Sequence, residues 1–101
     1  QTFVKKYAET IKDGTVPTYA AMGGYNGGLF LGEALRKAKD PENTQQVAEA
    51  FRELQIDSPS GKISIDGKNN HTRLYCRIGK VDEKGEIHVI FTSEKPIDPK
   101  P

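Results

Sequence analysis

The sequence predicts a mixed α/β chain, helices first and then a short strand and a β-hairpin. Three observations carry that expectation. Through the first half of the 101 residues apolar side chains recur at spacings of three and four. From Ile63 onward they recur at every second position, and clusters of Gly, Asp, Asn and Pro separate the segments.

The opening segment, Thr2 to Asp13, sets Phe3, Val4, Tyr7, Ala8 and Ile11 on one side with Lys5, Lys6, Glu9 and Lys12 opposite, the pattern of an amphipathic helix. Gly14 suits the left-handed position after a helix, and Pro17 cannot continue one. From about Thr18 to Lys39, Met22, Tyr25, Leu29, Phe30, Leu31 and Leu35 keep helical spacing but are interleaved with Gly23, Gly24, Gly27, Gly28 and Gly32. Each glycine inside a helix costs roughly 0.8–1 kcal/mol against alanine, so this density calls for a reason. Gly24, Gly28 and Gly32 fall four apart and make a smooth stripe. Close packing of another backbone is the first expectation for it, and a groove for a ligand or sliding partner the second. Glu33, Arg36, Lys37 and Lys39 argue against a dimer stripe buried in a membrane, and the cations suit the negative end of the helix dipole.

A third helix is signalled from Asn43 to Leu54. Asn43 can cap it, Gln46 stands three residues on as in a capping box, and Val47, Ala50, Phe51 and Leu54 share one face. Asp40, Pro41 and Glu42 then join two helices in a hairpin. The pattern changes at Gln55. Ser58, Pro59, Ser60 and Gly61 make a turn, and Ile63 and Ile65 alternate with polar neighbours as one short strand. Leu74, Cys76 and Ile78 alternate with Tyr75 and Arg77, Asp82 to Gly85 reverse the chain, and Ile87, Val89 and Phe91 alternate with His88 and Ile90, which makes a hairpin. The tail, with Pro96, Pro99 and Pro101, should be extended and outside any sheet interior.

Fifteen Lys and Arg against fourteen Asp and Glu give a formal charge of +1, with six of each sign in the first fifty residues. Phosphate or anionic lipid binding needs clustered cations, so nucleic acid is excluded as the main partner. No apolar run is long enough to span a bilayer, and no charged and then apolar leader opens the chain. Gln1 is not an initiator residue, so a longer parent is expected.

His71 and His88 share no metal-ligand spacing with Cys76 or with each other, so no metal or other cofactor is expected. His71 follows Asn69 and Asn70 in a polar stretch, where bonding to turn backbone is the expectation, and His88 should lie on the outer face of its strand. Cys76 is in phase with Leu74 and Ile78 and reads as a buried structural thiol. A nucleophile beside a base, a phosphate loop and a pair of carboxylates are all missing as motifs, so an enzyme is not expected.

Several runs carry a resemblance. Ile56 to Asp66 with its Ser58-Pro59-Ser60-Gly61 turn, Lys68-Asn69-Asn70-His71-Thr72-Arg73-Leu74, Arg77 to Val81 and Glu94-Lys95-Pro96-Ile97-Asp98-Pro99 together resemble the C-terminal part of type I periplasmic solute-binding proteins. Within them the chain is most similar to the urea and short-chain amide branch of the branched-chain amino acid-like ABC transporter family. Tyr25 to Ala38, with Leu31, Ala34 and Leu35, resembles the family's long helix; the glycines at 23, 24, 27 and 28 depart from its pattern.

The resemblance implies a C-terminal fragment of a two-lobed fold. Residues 1–66 would belong to the first lobe, 67–73 to a crossover near the hinge, 74–92 to a hairpin of the second lobe, and 93–101 to an extended Pro-rich tail. It implies a substrate-binding component of an ABC importer, periplasmic or a membrane-anchored lipoprotein, that closes over urea, a short amide or a related small polar solute or amino acid and then meets a membrane permease. An amide-sensing cytoplasmic regulator that sequesters an antiterminator is the alternative. By the same analogy Tyr19, Met22 and Tyr25 are candidate ligand contacts, each with core packing as its other reading, and Asn69, Asn70 and His71 fix the backbone near the hinge. A fragment of this kind lacks the parallel strands its helices cover, so the glycine stripe and the Val47, Phe51, Leu54 face are expected to stay open to water. The chain on its own should then self-associate or hold only part of its order; sedimentation as a monomer with cooperative unfolding contradicts this.

Overall fold

Capping side chains set where the helices begin. The computed structural model describes residues 2–101. In it α1 spans Thr2–Ile11, α2 Tyr19–Lys37 and α3 Thr44–Phe51, followed by β1 (Gln55–Ser58), β2 (Gly61–Ile65), β3 (Thr72–Arg73), β4 (Arg77–Val81) and β5 (Ile87–Thr92). Thr18 caps α2 by accepting from the Ala21 amide at 3.3 Å, and Asn43 caps α3 by accepting from the Gln46 amide at 3.1 Å. The capping box is not closed in the expected way: Gln46 Oε1 accepts from the Asp40 amide at 2.9 Å, which ties α3 back to the α2–α3 turn. After α1, Lys12 already takes the left-handed conformation at φ 56°, two residues ahead of Gly14 at φ 76°.

Two antiparallel sheets form among the described residues, one ordered β1-β2-β3 and one of β4 and β5. The single strand expected around Ile63 is therefore the centre of three, and β1 and β3 were not anticipated. Ile56 is directly opposite Ile63, so both project to the same face, where α2 and α3 cover them. Phe30, Ala34, Ala50, Leu54, Ile56, Ile63 and Ile65 form the buried cluster, with Leu29, Ala38, Val47 and Phe51 packed around it. The face of α3 expected to lie open is thus covered, because the chain supplies its own antiparallel strands.

The glycine stripe is not a packing surface in this structure. Asn26, Phe30 and Ala34 form the buried stripe of α2. At about 100° per residue, Gly24, Gly28 and Gly32 lie nearly opposite it. A Cβ built on any of those glycines meets no atom within 4 Å, so the expected close backbone approach is absent.

The β4–β5 hairpin is built as predicted at its turn. Gly85, at φ 81°, donates to Asp82 O at 3.0 Å, and Asp82 Oδ1 accepts from the amides of Lys84 and Glu86 at 2.8 and 2.9 Å. The strands begin later than expected, at Arg77, and a register shift between Ile78 and Gly79 breaks the alternation. Among the described residues no helix covers either face: Ile78, Val81, Ile87, Val89, Ile90 and Phe91 are all more than half exposed. Cys76 is exposed for the same reason, which corrects the reading of it as a buried thiol. Its phase with Leu74 and Ile78 selects a face, but nothing here lies against that face.

Two glycine substitutions separate these environments. Gly28→Ala should raise stability by roughly 1 kcal/mol through helix propensity, since its Cβ enters open space. Gly61→Ala should lower stability by roughly 1–3 kcal/mol, because Gly61 sits at φ 103° with a Cβ position 2.9 Å from the Tyr75 ring. Urea denaturation of the chain measures both, and equal effects would contradict the account of the two sites.

Candidate ligand cleft and crossover

Two of the three candidate ligand residues come together. Met22 and Tyr25 line a cleft of about 560 Å³ with Phe3, Leu29, Asp57 and Ser58, so it is walled by α1, α2 and the end of β1. Phe3 and Tyr25 meet ring to ring, centroids 4.8 Å apart and planes tilted by 54°, which joins α1 to α2. Tyr19 does not line this cleft. It opens the first turn of α2 and is 92% exposed. One turn on from Met22, Asn26 is buried and donates to Ser60 Oγ at 3.2 Å, fastening α2 to the β1–β2 turn. The cleft offers aromatic rings, a thioether, a hydroxyl and one carboxylate.

Asn69, Asn70 and His71 lie together in the loop between β2 and β3. Asp66, buried at the end of β2, organises this loop: its amide donates to His71 O, its carbonyl accepts from Asn70 N, and its Oδ1 accepts from Lys68 N, each at 2.8 Å. Asn69 Oδ1 accepts from the His71 amide at 2.9 Å, and Asn70 takes the left-handed conformation at φ 61° that its short polar side chain tolerates. His71 enters these contacts through its backbone, and its ring is exposed.

The residue that dominates this region is Arg73, which sequence reasoning missed. Its Nη1 donates to Glu53 Oε2 at 2.9 Å, its Nη2 lies 3.2 Å from Asp66 Oδ2, and its Nε donates to Asp98 Oδ1 at 2.8 Å. Glu53 follows α3, Asp66 follows β2 and Asp98 lies in the tail, so three distant segments converge on one guanidinium. Glu53 itself sits at φ 53°, a strained setting for a side chain of its type, and its Oε1 accepts from the Gly67 amide at 2.9 Å. Bonding to Arg73 first, then to the Gly67 amide, holds the Glu53 carboxyl below its ordinary 4.5. The bond to Glu53 first, and the bond to Asp98 next, raise the pKa of the Arg73 guanidinium. No local spacing announces such a cluster; its members are brought together by the β2–β3 pairing and the returning tail.

A second polar cluster closes the hairpin tip. Asp82, Glu86 and His88 place ligand-type atoms within 4.8 Å of one another. Asp82 Oδ2 meets His88 Nε2 at 2.7 Å, while Oδ1 is already taken by the turn amides. The His88 contact first, and the Glu86 amide next, lower the Asp82 pKa. His88 is on the exposed surface, as its place in the strand predicts.

A family model described as a periplasmic binding protein domain matches residues 1–101. The chain belongs to this family. The solved structure of an ABC-transporter solute-binding protein from Rhodopseudomonas palustris BisB5, in complex with 3,4-dihydroxybenzoic acid, matches this periplasmic-binding-protein chain with TM-score 0.72 and 28% identity, over 97% of this chain and 27% of that one. A leucine-, isoleucine-, valine-, threonine- and alanine-binding protein from Brucella ovis, in a closed conformation, gives TM-score 0.70 and 22% identity over 97% and 28%. The mixed α/β arrangement is thus that of the type I periplasmic-binding-protein fold. A protein named limonene hydroxylase from Geobacillus stearothermophilus is 26% identical over 99 residues, covering 98% of this chain and 18% of that protein, a similarity too remote to carry an activity across. The chain spans about a quarter of the length of the two solved relatives.

The Glu53 contact makes stability sensitive to acid. Glu53 has a lower pKa folded than unfolded, so its contribution is complete above about pH 4.5 and is lost as pH falls through the lower folded value. Glu53→Gln should therefore lower the urea midpoint near neutral pH and flatten its decline in acid relative to wild type. Parallel acid limbs for the two proteins would contradict this linkage.

Proposed function

We propose that this chain is the C-terminal part of the two-lobed solute-binding subunit of an ABC importer, and that its ligand is urea, a short amide or a related small polar solute. The observation that carries the reading is the family match along the whole chain combined with its span of 27% of a solved ABC-transporter solute-binding protein. Residues 1–66 supply helices and strands of one lobe, the loop through Asn69, Asn70 and His71 together with β3 is the crossover near the hinge, residues 74–92 are a hairpin of the other lobe, and 93–101 return beside the crossover.

The exposed surfaces support this placement. Gly28, Gly32, Leu29 and Ile56 border an open groove of about 530 Å³ beside β1, an edge strand of its sheet. The hairpin presents apolar side chains on both faces. Surfaces of this kind call for the remainder of a longer polypeptide. Extracytoplasmic placement follows from the family, with lipid anchoring and delivery to a membrane permease as parts of the proposal. No helix among the described residues is long and apolar enough to cross a membrane.

Capture would be by closure: ligand contacts made from both lobes favour the closed form over the open one, and the closed form presents the surface the permease reads. Most ligand contacts come from upstream in the parent chain, with Met22 and Tyr25 at the wall of this segment and Tyr19 outside the cleft as it stands. For urea or acetamide, four heavy atoms at a ceiling of about 1.5 kcal/mol each limit binding to roughly 6 kcal/mol, a Kd in the tens of micromolar at best. Titration calorimetry of the intact protein against urea, acetamide, leucine and 3,4-dihydroxybenzoate tests the ligand class. Heat from urea or acetamide and none from the other two is expected; binding of leucine or the aromatic acid in place of the amides would overturn the assignment.

A further inference from the structure

We propose that Arg73 is an ionic latch at the place where the β3–β4 link leaves the three-stranded sheet and the tail returns beside it, and that this latch opens from the tail side. The guanidinium uses its three nitrogens on three separate carboxylates, of Glu53, Asp66 and Asp98, at 2.9, 3.2 and 2.8 Å. A lysine ammonium has no planar fork with which to hold three fixed directions at once. Immediately beyond Arg73, the Ile97 amide donates to Leu74 O at 2.9 Å, so the tail and the outgoing link run side by side as an antiparallel bridge. The hairpin that follows is joined to the first body by these two strands of chain, by Tyr75 against Gly61 and by Arg77 Nη2 donating to Ser60 O at 3.0 Å.

The three legs differ in their exposure to water. Arg73 and Asp66 are 21% and 12% exposed, Glu53 61% and Asp98 80%. Salt screens exposed charges far more than buried ones, with a Debye length of about 3 Å at 1 M, so the Asp98 leg yields first while Asp66 keeps the guanidinium seated. Releasing it leaves the tail held at this point by the Ile97 bridge alone. The consequence for lobe movement, a second crossing segment freed while the first stays anchored, rests on the two-lobed reading above. The latch itself does not, because tail exchange is read without ligand.

Amide exchange in the intact protein, followed by mass spectrometry over the peptide 94–98 at about 50 mM and about 1 M NaCl, tests the latch. Wild-type exchange in that peptide should rise severalfold with salt. Asp98→Asn should exchange fast at both concentrations while the loop amides of Asp66 and Asn70 keep their protection, and Arg73→Lys should behave like Asp98→Asn in the tail. Asp98 is exposed, so its substitution does not endanger folding, and it decides the matter even if Arg73→Lys unfolds. Tail exchange in Asp98→Asn equal to wild type at low salt, or wild-type exchange indifferent to salt, overturns the proposal.

Discussion

Where α2 meets the sheet, Ala34 and Ile63 lose all contact with water, and Phe30 and Ile56 nearly so. That contact places nearly everything else. A small residue at 34 lets the helix come down onto the sheet, and the β1–β2 pairing sets Ile56 beside Ile63 so that both fill the space beneath it. Ala50 of α3 and Leu54, in the link between α3 and β1, complete the buried cluster. With the helices pinned on one face, the glycine stripe of α2 is turned outward and the β2–β3 loop is carried to the end of the sheet.

At that end the structure changes from apolar packing to charge. Asp66 directly follows β2, is buried, and would be costly there without partners. The Lys68 amide and Arg73 supply them, and Arg73 in turn draws in Glu53 and Asp98. The strained backbone of Glu53 is held by the same bonds. Burial fixes the position of one carboxylate, and the guanidinium extends that order to two exposed ones. The β2–β3 loop and the tail therefore share an anchor, although neither has much apolar surface of its own.

Beyond Arg73 the chain has little to pack against. The hairpin carries Ile78, Val81, Val89 and Phe91 in the open, and the molecule extends 52 × 33 × 20 Å. A hairpin alone is marginal in water, so its apolar faces are best understood as surfaces shaped for the rest of a larger fold. The solved relatives, about four times as long, show the fold completed by further chain.

The helices, their capping residues, the Ser58–Gly61 and Asp82–Gly85 turns and the existence of the hairpin could be read from residue order, because each depends on neighbours within a few positions; the register shift at Ile78 could not. The runs Ile56–Asp66, Lys68–Leu74, Arg77–Val81 and Glu94–Pro99 together pointed to the family. Three further things could not be read that way. Whether the glycine stripe met a partner depended on which face of α2 the sheet chose, and Phe30 and Ala34 decided it against the glycines. Whether Cys76 was buried depended on a layer that residue phase cannot supply. And the Arg73 cluster gathers side chains twenty residues away at Glu53 and twenty-five away at Asp98. Periodicity reports contacts along one element; pairing of charges across elements exists only after strands have found their register and the tail has come back to lie beside them.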